Sequence, residues 1–164
     1  MSKKPLSGHE GGCDCGKVRF RFKAEPIVIK CCHCHACQRQ TGSAFALNVL
    51  IEPEHVEMLG EAPEPYELTT ESGNGQRYMR CPSCKVSVLS VFNMAGEGVW
   101  FMRGGALDDT TGIEPDLHIF TDYKLPWVQI PEGAEVFPQF YSGKDIKRAF
   151  GEEGAARFKT ALSG

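Results

Sequence analysis

Seven cysteines of this chain fall into three tight clusters: Cys13-Asp-Cys15, Cys32-His-Cys-His-Ala-Cys37 and Cys81-Pro-Ser-Cys84. Thiolates one or two residues apart can turn onto a common centre, and a tetrahedron of soft sulfur ligands suits Zn²⁺ best. The clusters split unevenly. Cys13 and Cys15 with Cys81 and Cys84 make a closed four-sulfur site. The triplet Cys32, Cys34 and Cys37 makes a site one ligand short, and an open coordination position separates a working zinc from a structural one. Cys31 lies beside Cys32, and adjacent residues of an extended segment point opposite ways. Only one of the two can join the triplet. Cys32 repeats the Cys-x-Cys step of Cys13 and Cys15, which leaves Cys31 as a small buried apolar residue. The alternative is a closed second site with Cys31, His33 or His35 as its fourth ligand.

Three thiolates on a divalent ion leave the second site with a negative charge. A zinc so loaded is a weaker Lewis acid than one held by three histidines, so it is less suited to making hydroxide for hydrolysis. A substrate thiol suits the open position better, because a metal holds it as thiolate near neutral pH. The expected chemistry is therefore sulfur chemistry on a small thiol.

Pairs of cysteines 66 residues apart in sequence staple distant segments only if the chain between them folds back. A chain of 164 residues suits one domain with one core. Lys17-Val-Arg-Phe-Arg-Phe-Lys23 alternates strictly, so Val18, Phe20 and Phe22 face a core and the basic residues a solvated strand face. Ile27–Lys30 leads into the triplet. Ala44–Ile51 reads as a second, largely buried strand. Pro53–Leu59 reads as one or two helical turns with proline first. Tyr66–Glu71 and Arg77–Arg80 flank Ser72-Gly-Asn-Gly75 as a hairpin. Val86–Phe92, Val99–Arg103, Leu117–Thr121 and Trp127–Ile130 complete a series of short strands. After Asp145, Ile146, Phe150, Phe158 and Leu162 recur at roughly helical spacing, interrupted by Gly151 and Gly154, and this tail serves packing or dimerisation. Gly11, Gly12 and Gly16 permit the tight backbone of the first cysteine turn.

Eighteen basic residues against 21 acidic ones give a formal charge of −3. That balance argues against a nucleic-acid partner. No stretch approaches the ~20 apolar residues of a membrane span. Met1-Ser-Lys-Lys-Pro5 leads into no hydrophobic run, so no signal peptide is expected and a reducing, cytoplasmic location follows. There, clustered cysteines read as metal ligands rather than disulfides.

Three segments together carry a family resemblance. Gly12-Cys-Asp-Cys-Gly-Lys-Val-Arg-Phe20, Cys32-His-Cys-His-Ala-Cys-Gln-Arg-Gln-Thr-Gly-Ser-Ala-Phe45 and Cys81-Pro-Ser-Cys84 resemble the glutathione-dependent formaldehyde-activating enzymes, whose superfamily includes centromere protein V. Gly104-Gly-Ala-Leu-Asp-Asp109, His118-Ile119 and Pro126-Trp127 agree, and the match spans roughly residues 8–140. The resemblance implies a mainly β fold, a β-tent of short antiparallel sheets around zinc knuckles. It implies two Zn²⁺ per chain, a structural one on Cys13, Cys15, Cys81 and Cys84 and a second on Cys32, Cys34 and Cys37. It implies a carbon–sulfur lyase that joins glutathione and formaldehyde reversibly to S-hydroxymethylglutathione. One residue departs from the pattern: Lys85 stands where the family usually has glycine.

On that expectation residues 1–8 are a flexible arm, 9–141 the zinc-binding domain and 142–164 a weakly helical tail. Glutathione carries two carboxylates, for which an arginine is a bidentate partner. Arg39, nearest the triplet in sequence, is the first candidate to bind it, ahead of Arg77 and Arg103. His33 and His35 are either proton shuttles or exposed spacers. His118 reads as a core histidine, and Trp127 and Phe45 as core filler or pocket lining. The partners expected are a small thiol and an aldehyde, with no membrane and with a homodimer as one use of the tail. Two rival readings remain: a non-catalytic two-zinc scaffold, and a thiol-dependent enzyme for another aldehyde.

Overall fold

A computed structural model of the chain describes residues 5–69 and 73–163. The strands in chain order are β1 (Glu10–Gly12), β2 (Arg19–Phe22), β3 (Val28–Cys32), β4 (Ala46–Ile51), β5 (Val56–Met58) and β6 (Glu64–Leu68). They continue as β7 (Gln76–Arg80), β8 (Ser87–Phe92), β9 (Trp100–Arg103), β10 (Leu117–Ile119) and β11 (Glu135–Phe137). Helix α1 (His35–Thr41) follows β3, and α2 (Ile146–Ala161) ends the chain. The protein is mainly β. A small sheet runs β1-β2-β5, and a large one runs β11-β10-β3-β4-β9-β8-β7-β6.

Alternation divides the core in two. Val18, Phe20 and Phe22 are fully buried, as their spacing predicts, and pack with Ile29, Val49, Leu89 and Met102 of the large sheet. The opposite face of that sheet carries Val28, Leu50, Phe101 and Leu117, which pack with Phe137, Tyr141 and Phe150 from the C-terminal segment. Directly paired residues share a face, and the register confirms the division: Ile29 lies opposite Val49, and Val49 opposite Met102.

Several local expectations change in the fold. β10 runs parallel to both β3 and β11, whereas every other pairing is antiparallel as expected. Pro53 opens only a single 3-10 turn, Pro53–His55, before the chain becomes β5. The physical reason is pairing, because Val56 lies opposite Phe22 and closes the small sheet. Trp127–Ile130 is not a strand. Its backbone is spent in turns, Val128 N donating to Leu125 O, and Trp127 is 70% exposed, so it is neither core filler nor pocket lining. β6 and β7 pair as a hairpin, though Thr70, Glu71 and Ser72 of its turn lie outside the described residues. So do residues 1–4 of the expected arm. Leu6 next to them is buried, with its N–H donated to Glu25 Oε2, so residues 5–8 are docked rather than loose.

The basic face of β2 is ion-paired rather than merely solvated. Arg19 reaches Asp108 and Glu10, and Arg21 reaches Glu10 and Glu57. Gly11 allows this sheet to close on the chain after β9, because a Cβ there would meet Ala106 O at 2.4 Å.

The tail is a helix broken where the sequence places its first glycine, at Gly151 (φ 71°). Gly154 is buried against the chain, and a Cβ there would lie 2.9 Å from Ile27 O. Leu162 is exposed despite its spacing. Arg157 fixes the helix by a bidentate ion pair with Glu52 (2.9 and 2.6 Å) and a bond to Glu25 O. Burial alone would raise the Glu52 carboxyl, but Arg157 and a backbone N–H outweigh it and hold the group below its ordinary 4.5. A depressed carboxyl contributes stability above its unfolded value and loses it as the pH falls through the folded one. Glu52→Gln should therefore cost about 2 kcal/mol at pH 7. Paired urea titrations should show the gap from the unmodified protein shrinking below pH 4.5.

Candidate metal centre

Two hairpin turns bring the first four sulfurs together. Between β1 and β2, Cys13 N donates to Val18 O and the backbone turns through Gly16 at φ 75°. Between β7 and β8, Cys81 N donates to Val86 O and the turn passes through Lys85 at φ 63°. The Sγ atoms of Cys13, Cys15, Cys81 and Cys84 all lie within 4.8 Å of one another. Cys13–Cys15 is 3.5 Å and Cys15–Cys81 is 3.6 Å. A tetrahedron with metal–sulfur bonds of ~2.3 Å has edges of about 3.8 Å, so these separations fit a four-sulfur ion. Burial pushes the Cys13 thiol up, but the Val18 N–H and the neighbouring sulfurs outweigh it and bring it down to about 6.

The second group stands at the end of β3. Cys32 ends the strand and Cys34 caps α1, its Sγ accepting from Cys37 N at 3.4 Å. Cys32, Cys34 and Cys37 lie within the same mutual 4.8 Å, with Cys32 and Cys34 at 3.5 Å. The adjoining thiols of Cys32 and Cys37 hold the Cys34 thiol well below its ordinary value, while Cys32 is pushed well above. No fourth Cys, His, Asp or Glu among the described residues joins this group.

The alternative fourth ligands go elsewhere. Cys31 is buried on the opposite face of β3, opposite His118 in the parallel register. It forms a separate group with His33 and His118. His33 is fully buried rather than an exposed spacer, and its Nε2 lies 3.0 Å from His118 Nδ1. Burial, then the charges of His118 and Lys124, push His33 down to about 4, and burial lowers His118. Both imidazoles are therefore neutral at pH 7. His35 is the exposed one, edge-on to Tyr123 at 4.9 Å.

A polar row lies on the triplet's own face of the sheet, and of its three residues the sequence had pointed only to Arg103. Lys30, Asn48 and Arg103 sit directly across β3, β4 and β9. Arg103 donates to Asn48 Oδ1 at 2.7 Å and lies 5.4 Å over the Tyr78 ring. Lys30 is buried among Phe101, Phe140 and Tyr141. Burial pushes its ammonium down to about 8, against the pull of the Cys32, Cys37 and Cys34 sulfurs. One signal for it was present in the sequence: a lysine inside an apolar run, two residues before Cys32 and so on its face.

A cleft of about 940 Å³ opens beside the first sulfur group. Asp14, Gln40, Phe45, Arg80, Lys85 and Arg103 are among its walls. Cys32, Cys34 and Cys37 are not, though Gln40 and Thr41 of α1, the helix that carries Cys37, are. Arg39 is exposed on α1 and lines no part of it, and Arg77 is tied to Glu97. Arg80 donates to Gln40 and covers the Tyr66 ring at 4.4 Å.

A sequence profile of the glutathione-dependent formaldehyde-activating enzymes matches residues 8–123. The chain belongs to this family. A curated relative from Halomonas elongata, named "Putative glutathione-dependent formaldehyde-activating enzyme", is 28% identical over 127 residues, 74% of this chain and 80% of its own. A crystal structure of a Rhodobacter sphaeroides protein is 15% identical with a TM-score of 0.47, covering 65% of this chain and 91% of that one. No helix among the described residues is long and apolar enough to cross a membrane.

Lys85 carries a backbone cost. Its left-handed backbone is a conformation glycine adopts freely, and its ion pair with Glu64 is exposed. Lys85→Gly should therefore raise stability by about 1 kcal/mol, with metal content unchanged, as measured by urea denaturation.

Proposed function

We propose that this chain is a zinc-dependent carbon–sulfur lyase of the cytoplasm that joins glutathione and formaldehyde reversibly as S-hydroxymethylglutathione. The observation that carries the reading is the split of the sulfurs into a group of four and a group of three. On this reading Cys13, Cys15, Cys81 and Cys84 hold a structural zinc, and Cys32, Cys34 and Cys37 hold a second zinc with one position open. Residues 9–141 carry the chemistry and the tail braces it.

A zinc on the triplet would hold an incoming thiol as its thiolate at neutral pH. In the addition, a sulfur–carbon bond forms at the carbonyl carbon and the carbonyl π bond breaks. The oxygen takes the electron pair and then the proton the thiol gave up. Arg80 and Lys85 would receive the glutathione carboxylates in the cleft, a role for which they are better placed than Arg39. The N–H of Cys37 stabilises charge on Cys34. Removing Arg80 loses one charge-assisted contact of ~1.5 kcal/mol, so Arg80→Ala should raise KM for glutathione about tenfold. Exchange of ¹³C-formaldehyde, followed by NMR across glutathione concentrations, measures it.

A scaffold without catalysis is favoured by one fact, that the triplet does not line the cleft. Metal analysis and X-ray absorption decide between the readings. The expected outcome is two zinc ions per chain, one of them gaining a sulfur neighbour when glutathione is added. Cys34→Ser should lose that ion and the exchange activity while keeping the first. Two zinc sites indifferent to glutathione, with no exchange, would establish the scaffold instead.

A further inference from the structure

We propose that Lys30 is the counter-charge of the triplet, a positioning residue whose buried ammonium sets the metal affinity of Cys32, Cys34 and Cys37. The inference rests on the reading of the triplet as a metal site.

Lys30 is 3% exposed, in the middle of a central strand. No carboxylate among the described residues pairs with it. Its Nζ lies 4.4 Å from the centre of the Phe101 ring, 5.2 Å from Phe140 and 5.5 Å from Tyr141. It donates a hydrogen bond to Tyr141 Oη at 3.3 Å. Aromatic faces return ~0.5–2 kcal/mol to a cation, and burying the ion costs several. An anion is needed to close the difference. Asn48, directly opposite, is already taken by Arg103. Alternation puts Cys32, two residues on, on the same face as Lys30. Three thiolates and a divalent ion carry one net negative charge, buried with Cys32 and Cys37. The lysine and the loaded triplet each leave a buried charge uncompensated, and together they cancel.

The effect of removing the charge has opposite signs in two states. Without metal, Lys30→Met replaces an unpaired buried cation by an apolar chain of similar length. The metal-free variant should be at least as stable as the unmodified protein. With metal, it strands a negative site. Affinity there should fall between about 10- and 100-fold, the usual size for a group just behind the ligands. The four-sulfur site should not change. Chelator competition with zinc resolves the two affinities, and cobalt substitution reports each site through its sulfur-to-metal absorption. Lys30→Gln serves as a second neutral variant, and Lys30→Arg should restore most of the lost affinity.

Unchanged affinity at both sites in the neutral variants would overturn the inference. So would a loss at both sites with a less stable metal-free protein, because Lys30 would then be structural. An unmodified protein that binds only one ion would overturn the metal reading of the triplet itself, before any variant is made.

Discussion

A β-strand cannot present two neighbouring residues to the same side. Much of this molecule follows from that constraint acting on β3. Val28, Lys30 and Cys32 face the side covered by the C-terminal segment, while Ile29, Cys31 and the following His33 face the other way. The adjacent cysteines are thereby forced apart. Cys32 meets Cys34 and Cys37 as α1 turns back under the strand, and Cys31 meets His118 across the parallel pair. Had β3 slipped by one residue, Lys30 and Cys32 would together have turned to the face that now holds Ile29. The parallel strand β10 matters for the same reason, because it fixes His118 beside Cys31 and pins the register.

The first sulfur group performs a different mechanical task. Its two halves come from the β1–β2 and β7–β8 turns, one in each sheet. The core between the sheets is apolar and has no directional preference of its own. Four convergent sulfurs supply that direction. On the zinc reading, an ion there would join the sheets, as does the bridge between Gly11 of β1 and Leu107 in the chain after β9. Lys85 shows that the turn geometry is imposed from outside. A residue with a side chain holds a left-handed backbone inside a turn closed by Lys85 N donating to Cys81 O and Cys81 N donating to Val86 O.

The sequence displayed the parts whose signal is local. Cysteine spacing, the alternation of Val18, Phe20 and Phe22, and the broken helix around Gly151 each follow from neighbours along the chain. What stayed illegible depends on partners far away. Arg19 and Arg21 looked solvated because Glu57 lies in another strand and Asp108 in the loop after β9. Whether His33 was a proton shuttle or an exposed spacer stayed open because its partner is 85 residues on. Trp127 looked buried because hydrophobic character was the only local cue, and the short parallel strand β11 takes the place its segment was expected to fill. Arg39 was favoured by nearness in sequence, whereas the cleft draws its cations from β7, the β7–β8 turn and β9.

The two sulfur groups also differ in how they are surrounded, and this bears on what each can do. Four thiolates around a divalent ion carry two negative charges, and the first group meets this by leaving Cys15 exposed to water. The second group is mostly buried and has cations instead of solvent, with Lys30 and Arg103 on its own face. Water screens without discriminating. Fixed cations would offset the negative charge of a three-sulfur ion, so a fourth anionic sulfur would be admitted at less electrostatic cost than in an isolated site. A lysine and an arginine in a buried sheet are expensive for folding alone. On the proposed reading, their place beside the three-sulfur group is what a site that must accept a thiolate, and later release it, would require.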